Sequence, residues 1–352
     1  MMSMLERLKR ELRMYDGGAV KIMEVCGTHT AAIFSTGIRS IISPKISLIS
    51  GPGCPVCVTS PAYIDRLIEL AQQEQTCVLT FGDMLKVKGS RWSLTEAKAN
   101  GAKVKMVYSP FAALHLAKMQ PETKFIFAAV GFETTVPAYA LVLEEALKDK
   151  VRNLKFLTAC KQILPAMEYI CANEKGIDAF LCPGHVSVLT GAEDYRALAL
   201  KHQKPFVVAG FRGEHLLAAI SEIMRQLKHQ EFEVRNMYAE AVKPQGNAQA
   251  KALINQYFVT DNAYWRGIGE IKHSGLFLRD EYNEFDVGSH LQEGEYEMPN
   301  GCRCTDVILG RITPQECPLF KSTCSPLNPV GPCMVSPEGA CGIWYKNGGV
   351  VR

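Results

Sequence analysis

Eight short apolar runs between residues 19 and 216 constrain the fold of this chain more than any other feature. They are AVKIMEV, KISLIS, TCVLTF, KVKMVY, KFIFAAV, NLKFLTA, IDAFLC and PFVVAG. Each is short and rich in Val, Ile, Leu or Phe, as buried parallel strands are. Segments of helical length and periodicity separate the runs. This alternation predicts an α/β fold with parallel sheets.

Four Gly- or Thr-rich turns follow predicted strands: VCGTHT (25–30), GPGCPV (51–56), VGFETT (130–135) and CPGHVS (182–187). The first resembles the third, and the second resembles the fourth. This weak doubling predicts two similar α/β lobes, one over residues 19–121 and one over 122–216. Because functional turns collect at the carboxyl ends of parallel strands, we expect all four to face one cleft.

The rest of the chain has a different character. Residues 217–352 contain two helical segments, Gly- and aromatic-rich stretches suited to antiparallel strands, and a tail dense in Pro, Gly and Cys. We predict that this region, together with an amphipathic helix in residues 1–18, forms a cysteine-rich domain with helices and little sheet. A bound metal is the natural way to order such a tail.

Composition excludes several classes of protein. The chain has 39 basic and 36 acidic residues, a balance that favours neither nucleic acid nor an acidic membrane as a partner. It has no continuous apolar region of a secretory signal and no run of 18 apolar residues. We therefore expect a cytoplasmic protein.

Thirteen cysteines are many for a cytoplasmic protein, and six of them lie between residues 302 and 341. Metal or thiol chemistry explains them better than a disulfide framework. Four have the spacing C-x14-C-x6-C-x16-C: Cys302, Cys317, Cys324 and Cys341. The wide spacing favours a [4Fe–4S] cluster over zinc, which usually uses tight Cys-x2-4-Cys pairs. Cys304 and Cys333 lie outside this ligand set. The alternative is that all six cysteines of this segment are small buried apolar residues.

The segment GPGCPVC contains a Cys-x-x-Cys pair, Cys54 and Cys57, directly after a predicted strand. It resembles the start of a dinucleotide-binding loop, but Cys57 replaces the third Gly, and Pro52 and Pro55 remove amides that would bind phosphate. A redox pair is the better interpretation. We expect the following helix to begin at Pro61, which leaves the pair in a loop with little activation by the helix dipole.

Cys26 follows the first strand and precedes Gly27, Thr28 and His29. Nearby amides, and His29 if protonated, would lower the pKa of this thiol. Two roles follow, a covalent nucleophile or a ligand for a soft metal, and a buried strand-end cysteine is the alternative.

Two further turns supply an acid and an imidazole, Glu133 and His185. At cleft-facing positions they would move protons or hydrogen-bond a polar ligand. The alternative is ordinary turn and helix-capping chemistry.

Five motifs in this order and spacing resemble the HypD family of [NiFe]-hydrogenase maturation factors: CGTHT, GPGCPVC, GFETT, PGHVS and GPCMVSPEGAC. The resemblance runs from about residue 20 to the C-terminus, and five motifs in register are far more specific than one. Lys321 is a departure, because we expect a Gly after Leu319-Phe320 in this family.

The resemblance implies a scaffold on which iron carrying two cyanides and one carbon monoxide is assembled for the hydrogenase large subunit. It implies that Cys26 binds this iron together with a cysteine of the small chaperone HypC, and that HypE delivers cyanide to the complex of the two proteins. We expect a monomer within such a hetero-complex. His29, Glu133 and His185 would then donate protons or hydrogen bonds to the cyanide nitrogens.

The resemblance also implies the electron path. A [4Fe–4S] cluster would be held by the tail cysteines named above, and Cys54 and Cys57 would act as a redox dithiol between cluster and iron. Two other functions stay open: a cluster-dependent oxidoreductase acting on a small molecule in the cleft, and a zinc-stabilised interaction protein. We favour a redox-active assembly scaffold over a turnover enzyme.

Overall fold

The computed structural model of the chain describes residues 3–291 and 298–348. The predicted helix over 1–18 and the predicted domain over 217–352 therefore fall in part, at residues 1–2, 292–297 and 349–352, outside the described residues. Eleven strands occur within the described ranges: β1 Val20–Glu24, β2 Ile46–Ser50, β3 Thr76–Thr80, β4 Val104–Met106, β5 Lys124–Gly131, β6 Leu154–Lys161, β7 Ala179–Cys182, β8 Phe206–Val208, β9 Val234–Asn236, β10 Phe258–Trp265 and β11 Gly269–Leu278. All eight apolar runs form strands, β1 to β8.

The strands form two mainly parallel sheets, which confirms the predicted α/β class. The first sheet has the order β2-β1-β7-β8-β9, and all of its pairs are parallel. The second has the order β10-β11-β6-β5-β3-β4. Within it, β3 to β6 are parallel, and the hairpin β10–β11 adds to β6 in antiparallel fashion.

Each sheet takes strands from both sides of residue 121. The first sheet contains β1 and β2 together with β7, β8 and β9. The second contains β3 to β6, which lie between β2 and β7 in the sequence, together with the hairpin β10–β11. The sheets therefore do not coincide with the predicted lobes 19–121 and 122–216, because β1 pairs with β7 instead of β3. The domain boundaries themselves stay a prediction.

Helices cover both sheets, and three short ones lie in the described part of the tail. The helices are α1 Met4–Arg13, α2 Gly27–Ser35, α3 Ile38–Ile41, α4 Pro55–Val58, α5 Pro61–Ala71, α6 Leu94–Ala99, α7 Pro110–Met119, α8 Val136–Lys148, α9 Ile163–Asn173, α10 Gly184–Thr190, α11 Arg196–His202, α12 Gly213–His229, α13 Ala248–Tyr257, α14 Cys304–Ile308, α15 Pro332–Val335 and α16 Ala340–Lys346. No helix in the described part of the chain has the length and apolar character needed to cross a membrane.

Burial on both faces of the sheet explains why the strand sequences are continuous apolar runs. In β5 every residue after Lys124 is buried, and β6 is buried from Phe156 to Lys161. A strand covered on both faces has no solvent side, so the alternation of polar and apolar residues disappears. Tyr63 and Tyr139 are also buried, and their hydroxyls donate hydrogen bonds to the carbonyls of Leu157 and Val130.

A buried ion pair fixes the end of β1. Arg39 lies 2.5 Å from the carboxylate of Glu24, the last residue of β1, whose side chain is fully buried. The same guanidinium donates to the Leu48 carbonyl of β2 and lies over the rings of Phe34 and Trp344. Arg39 thus connects two strands, a helix and the tail.

We predict that Arg39→Ala lowers the free energy of unfolding by about 3 kcal/mol, because it leaves a buried carboxylate without its partner. Arg196→Ala is the matched control, since it breaks an exposed pair with Glu193 and should cost less than about 1 kcal/mol. Denaturant titration measures both values. Equal losses in the two variants would contradict the prediction.

Candidate functional site

Three of the four predicted functional turns leave one edge of the first sheet. β2, β1 and β7 are adjacent and parallel, so the turns that follow them begin side by side. These turns carry GPGCPV, CGTHT and PGHVS. The fourth, GFETT, follows β5 in the second sheet, and β5 packs against α4, which belongs to the GPGCPV turn.

Cys26 is the N-cap residue of α2 and is partly buried. The backbone N–H groups of Thr28 and His29 and the Thr28 hydroxyl favour its thiolate, but burial has the larger effect and raises the pKa of the thiol. Burial also lowers the pKa of His29 to about 4, so its imidazole is neutral at pH 7. The expectation of a lowered Cys26 pKa is therefore wrong, because desolvation outweighs the amides.

Two glycines let other segments approach the Cys26 turn. A Cβ atom at Gly53 would lie 2.6 Å from both the Cα and the nitrogen of Cys26. A Cβ atom at Gly27 would lie 2.9 Å from the Cβ of Glu338 in the tail. Larger residues do not fit at either position, so the GPGCPVC turn and the tail both contact the Cys26 turn directly.

Cys54 and Cys57 are buried and form a disulfide bond. Cys54 is the N-cap of the four-residue helix α4, and its sulfur accepts a hydrogen bond from the Cys57 N–H at 3.2 Å. The prediction that the pair lies in a loop before Pro61 is therefore wrong. Pro55 suits a first helical position, so a short helix forms here before α5 begins at Pro61 as expected.

The tail lies against this disulfide. The Cys57 sulfur is 3.9 Å from the carbonyl oxygen of Pro332, and α4 packs on α15. Pro332 precedes Cys333 in the cysteine-rich tail. The two cysteine-containing segments therefore meet in the protein interior.

The tail cysteines are close to one another. The Cys304 thiol interacts with those of Cys302, Cys333 and Cys341, and Cys333 also interacts with Cys341. These contacts lower the pKa of Cys341 to about 6 and raise that of Cys302 and Cys333. Cys304 and Cys333, which the spacing argument left outside the ligand set, thus belong to the same thiol group.

The other two predicted ligands, Cys317 and Cys324, are also buried, and the Val330 N–H donates to the Cys324 sulfur at 3.3 Å. In the ranges 3–291 and 298–348, no set of three or more His, Cys, Asp or Glu side chains is spaced to hold a metal ion. The donor chemistry nevertheless fits an iron–sulfur cluster, because six soft thiols lie together in one segment and a buried cation, Arg266, interacts with three of them.

The two predicted imidazoles lie on one aromatic ring that sequence reasoning missed. The ring centroid of Phe211 is 4.8 Å from that of His29 and 4.2 Å from that of His185. The His29 Nε2–H donates to the carbonyl of Ala209 at 3.0 Å, and its Nδ1 is buried without a hydrogen-bond partner in the part of the chain that the structure describes. His185 is exposed. The only signal for Phe211 is that it follows the apolar run PFVVAG.

Glu133 is buried, and its carboxylate accepts a backbone hydrogen bond. Its Oε1 accepts a hydrogen bond from the Ile163 N–H at 2.7 Å, whereas its Oε2 is buried and has no partner within residues 3–291 and 298–348. Burial raises the pKa of this carboxyl to about 7. Tyr195 interacts electrostatically with Glu133 and hydrogen-bonds Ser187 of α10, so Glu133 is linked to the His185 turn only indirectly.

Sequence reasoning also missed Glu338, a carboxylate near Cys26. The Ser336 hydroxyl accepts the Glu338 backbone N–H at 3.2 Å and donates to Asp83 Oδ2 at 3.4 Å. Burial and the charge of Asp83 raise the pKa of Glu338, which interacts electrostatically with Cys26. The SPEG sequence of the tail is the signal that would have found Glu338.

Comparison with known proteins shows the family of this chain. The sequence profile described as "HypD: Hydrogenase formation hypA family" matches residues 1–348. The chain belongs to the HypD family. It is 43% identical over 329 residues to a putative hydrogenase expression/formation protein of Methanocaldococcus jannaschii, covering 93% of this chain and 92% of the relative.

Two bacterial relatives carry the family name. The hydrogenase maturation factor HypD of Escherichia coli is 39% identical, covering 93% of this chain and 89% of its own length. That of Azotobacter vinelandii is 41% identical with the same coverage. The family assignment makes this chain a hydrogenase maturation factor. Lys321, where a HypD glycine is expected, has φ of +61°, a backbone conformation that favours Gly.

We predict that Glu133 makes stability depend on pH. Because its folded-state pKa of about 7 lies above the ordinary value, the protonated carboxyl stabilises the folded state at low pH, and this contribution is lost as pH rises through 7. Wild type should lose up to about 3 kcal/mol relative to Glu133→Gln between pH 5 and pH 8. Denaturant titrations at both pH values measure this difference, and a constant difference would contradict it.

Proposed function

We propose that this chain is the scaffold on which the Fe(CN)2CO unit of [NiFe]-hydrogenase is assembled. One observation carries the proposal: the Cys26 turn, the Cys54–Cys57 segment and the cysteine-rich tail are in mutual contact. Gly53 lies against Cys26, Gly27 lies against the tail, and Cys57 lies 3.9 Å from Pro332. These contacts support the proposal because they would put the proposed iron-binding thiol next to the proposed source of electrons.

In this proposal the iron is the cargo, and Cys26 supplies one of its ligands. Cyanide and carbon monoxide stabilise low-spin Fe(II), and a thiolate is a suitable ligand for that soft fragment. Because burial raises the pKa of Cys26, the iron would have to displace the proton of this thiol on binding. A cysteine of a HypC-type chaperone would supply a second ligand, which is possible because Cys26 is partly exposed.

The Cys54–Cys57 pair would supply the electrons for cyanide transfer. A HypE-type donor carries cyanide as a thiocyanate, R–S–CN. Its reaction with a dithiol gives R–SH, HCN and a disulfide, so that the S–CN bond breaks, one S–S bond forms, and two electrons move from the dithiol to the donor. The disulfide observed between these cysteines corresponds to the product state of that step.

The tail cysteines would restore the dithiol. Four of them, Cys302, Cys317, Cys324 and Cys341, suit a [4Fe–4S] cluster, which when bound transfers one electron at a time. The contact of α4 with α15 gives a short path from this segment to the disulfide.

His185 would act on the cyanide nitrogens, and His29 would act through it. His185 is exposed on the same sheet edge as Cys26 and can donate a hydrogen bond. His29 donates its Nε2–H to Ala209, so it positions Phe211 and His185 instead. Glu133, which is buried more deeply than His185, would supply a proton, because its carboxyl stays protonated up to about pH 7.

We predict that the chain co-purified with its HypC-type partner shows infrared bands of bound cyanide and carbon monoxide, and that Cys26→Ala abolishes them. His185→Ala should keep the bands but shift the cyanide frequency, because a hydrogen bond to the cyanide nitrogen is lost. Cys77→Ala, which changes a partly buried cysteine in β3, is the matched control. Bands that persist in Cys26→Ala would refute iron ligation by this residue, and an unshifted cyanide band would refute the His185 contact.

We predict that Cys54→Ser and Cys57→Ser each keep the iron–sulfur absorbance and iron content of the wild type yet reduce hydrogenase maturation to background. The reason is that neither cysteine belongs to the proposed cluster ligands. Cys171→Ser, a buried cysteine of α9, is the control and should support maturation. Loss of the cluster in either serine variant of the pair would show that this division of roles is wrong.

A further inference from the structure

Arg266 is a buried cation between the two redox segments. It follows β10, and only 4% of its surface is exposed. Its Nε donates to the Thr59 carbonyl and its Nη2 to the Lys88 carbonyl, both at 2.7 Å. Within the described ranges it forms no ion pair with a carboxylate. Two carbonyl dipoles therefore compensate a full positive charge only in part.

Backbone contacts place Arg266 against both segments. Its N–H donates to the carbonyl of Val58, the last residue of the helix that contains Cys57, at 2.9 Å. The next residue, Gly267, packs on Thr305, so that a Cβ atom there would lie 3.2 Å from the Thr305 Cβ. Thr305 adjoins Cys304. The backbone of residues 266 and 267 thus lies where the disulfide segment meets the tail, and the guanidinium contacts the carbonyl of Thr59, which follows that segment.

Three thiols and one carboxylate interact electrostatically with this cation. The interaction is largest with Cys304 and Cys333, followed by Asp65 and then Cys302. A thiol carries no charge until it is ionised or bound to a metal. Beyond the contribution of Asp65, the buried charge is therefore matched when this group of cysteines holds negative charge.

We propose that Arg266 is the counter-charge of the group held by the tail cysteines and that it raises the reduction potential of that group. The inference rests on the proposed function, in which the group is a [4Fe–4S] cluster. A cluster bound by four thiolates is anionic and gains one further negative charge on accepting an electron. A fixed cation in a poorly hydrated site stabilises the reduced form more than the oxidised form. Arg266 then acts as a positioning and potential-setting residue and touches no substrate.

The test is a redox titration of the full chain, purified without oxygen, with iron content and cluster absorbance measured in each sample. The variants are Arg266→Gln, which removes the charge, and Arg266→Lys, which keeps it on a shorter side chain. Arg303→Gln is the matched control, because Arg303 lies between Cys302 and Cys304 in sequence but is exposed and paired with Asp306. Solvent screens its charge, so its removal should change the potential little.

We expect the midpoint potential to be highest in wild type, lower in Arg266→Lys and lowest in Arg266→Gln. Arg303→Gln should have a potential close to that of wild type. If Arg266→Gln does not fold, a lower potential in Arg266→Lys supports the inference. Equal potentials in wild type and the folded Arg266 variants, at equal cluster content, overturn the inference and leave the proposed function intact. A wild-type chain that holds no cluster overturns both.

Discussion

The parallel pairing of β1 with β2 on one side and β7 on the other is the interaction on which the site depends. In register, Glu24 of β1 lies beside Ser50 of β2 and Leu181 of β7. Because the three strands end at the same level, their turns start together at one edge of the sheet. Cys26, the GPGCPVC segment and the PGHVS turn become neighbours although more than 150 residues separate the first from the last.

Two buried arginines attach the tail to this framework. Arg39 pairs with Glu24 and lies over Trp344 of α16, while Arg266 joins the carbonyls of Thr59 and Lys88 to the tail thiols. A guanidinium suits this task because its planar donors satisfy several backbone carbonyls at once. The tail has short helices and no strand among its described residues after Met298, so side-chain contacts of this kind hold it in place.

The interior around the site contains polar groups that are incompletely satisfied. Among the described residues, Glu133 Oε2 and His29 Nδ1 are buried without hydrogen-bond partners, and Arg266 forms no ion pair with a carboxylate. Such groups cost stability, and proteins keep them mostly where function requires them. The same desolvation shifts the pKa of Glu133 upward and that of His29 downward, so that both are neutral over most of the acidic pH range.

The sequence by itself determined the eight strands, the α/β class, the HypD family and the residues of the turns. Apolar runs and strand-end motifs depend on local burial and turn geometry, and both can be recognised from residues that are neighbours in the sequence. Only the tertiary structure decided which strands share a sheet, because pairing β1 with β7 is a contact between distant segments that no local pattern encodes. It also decided that Cys26 has a raised pKa, that Cys304 and Cys333 join the thiol group, and that Phe211, Glu338 and Arg266 belong to the site. Each of these depends on desolvation or contact across the fold, and both exist only after the sheets and the tail have packed together.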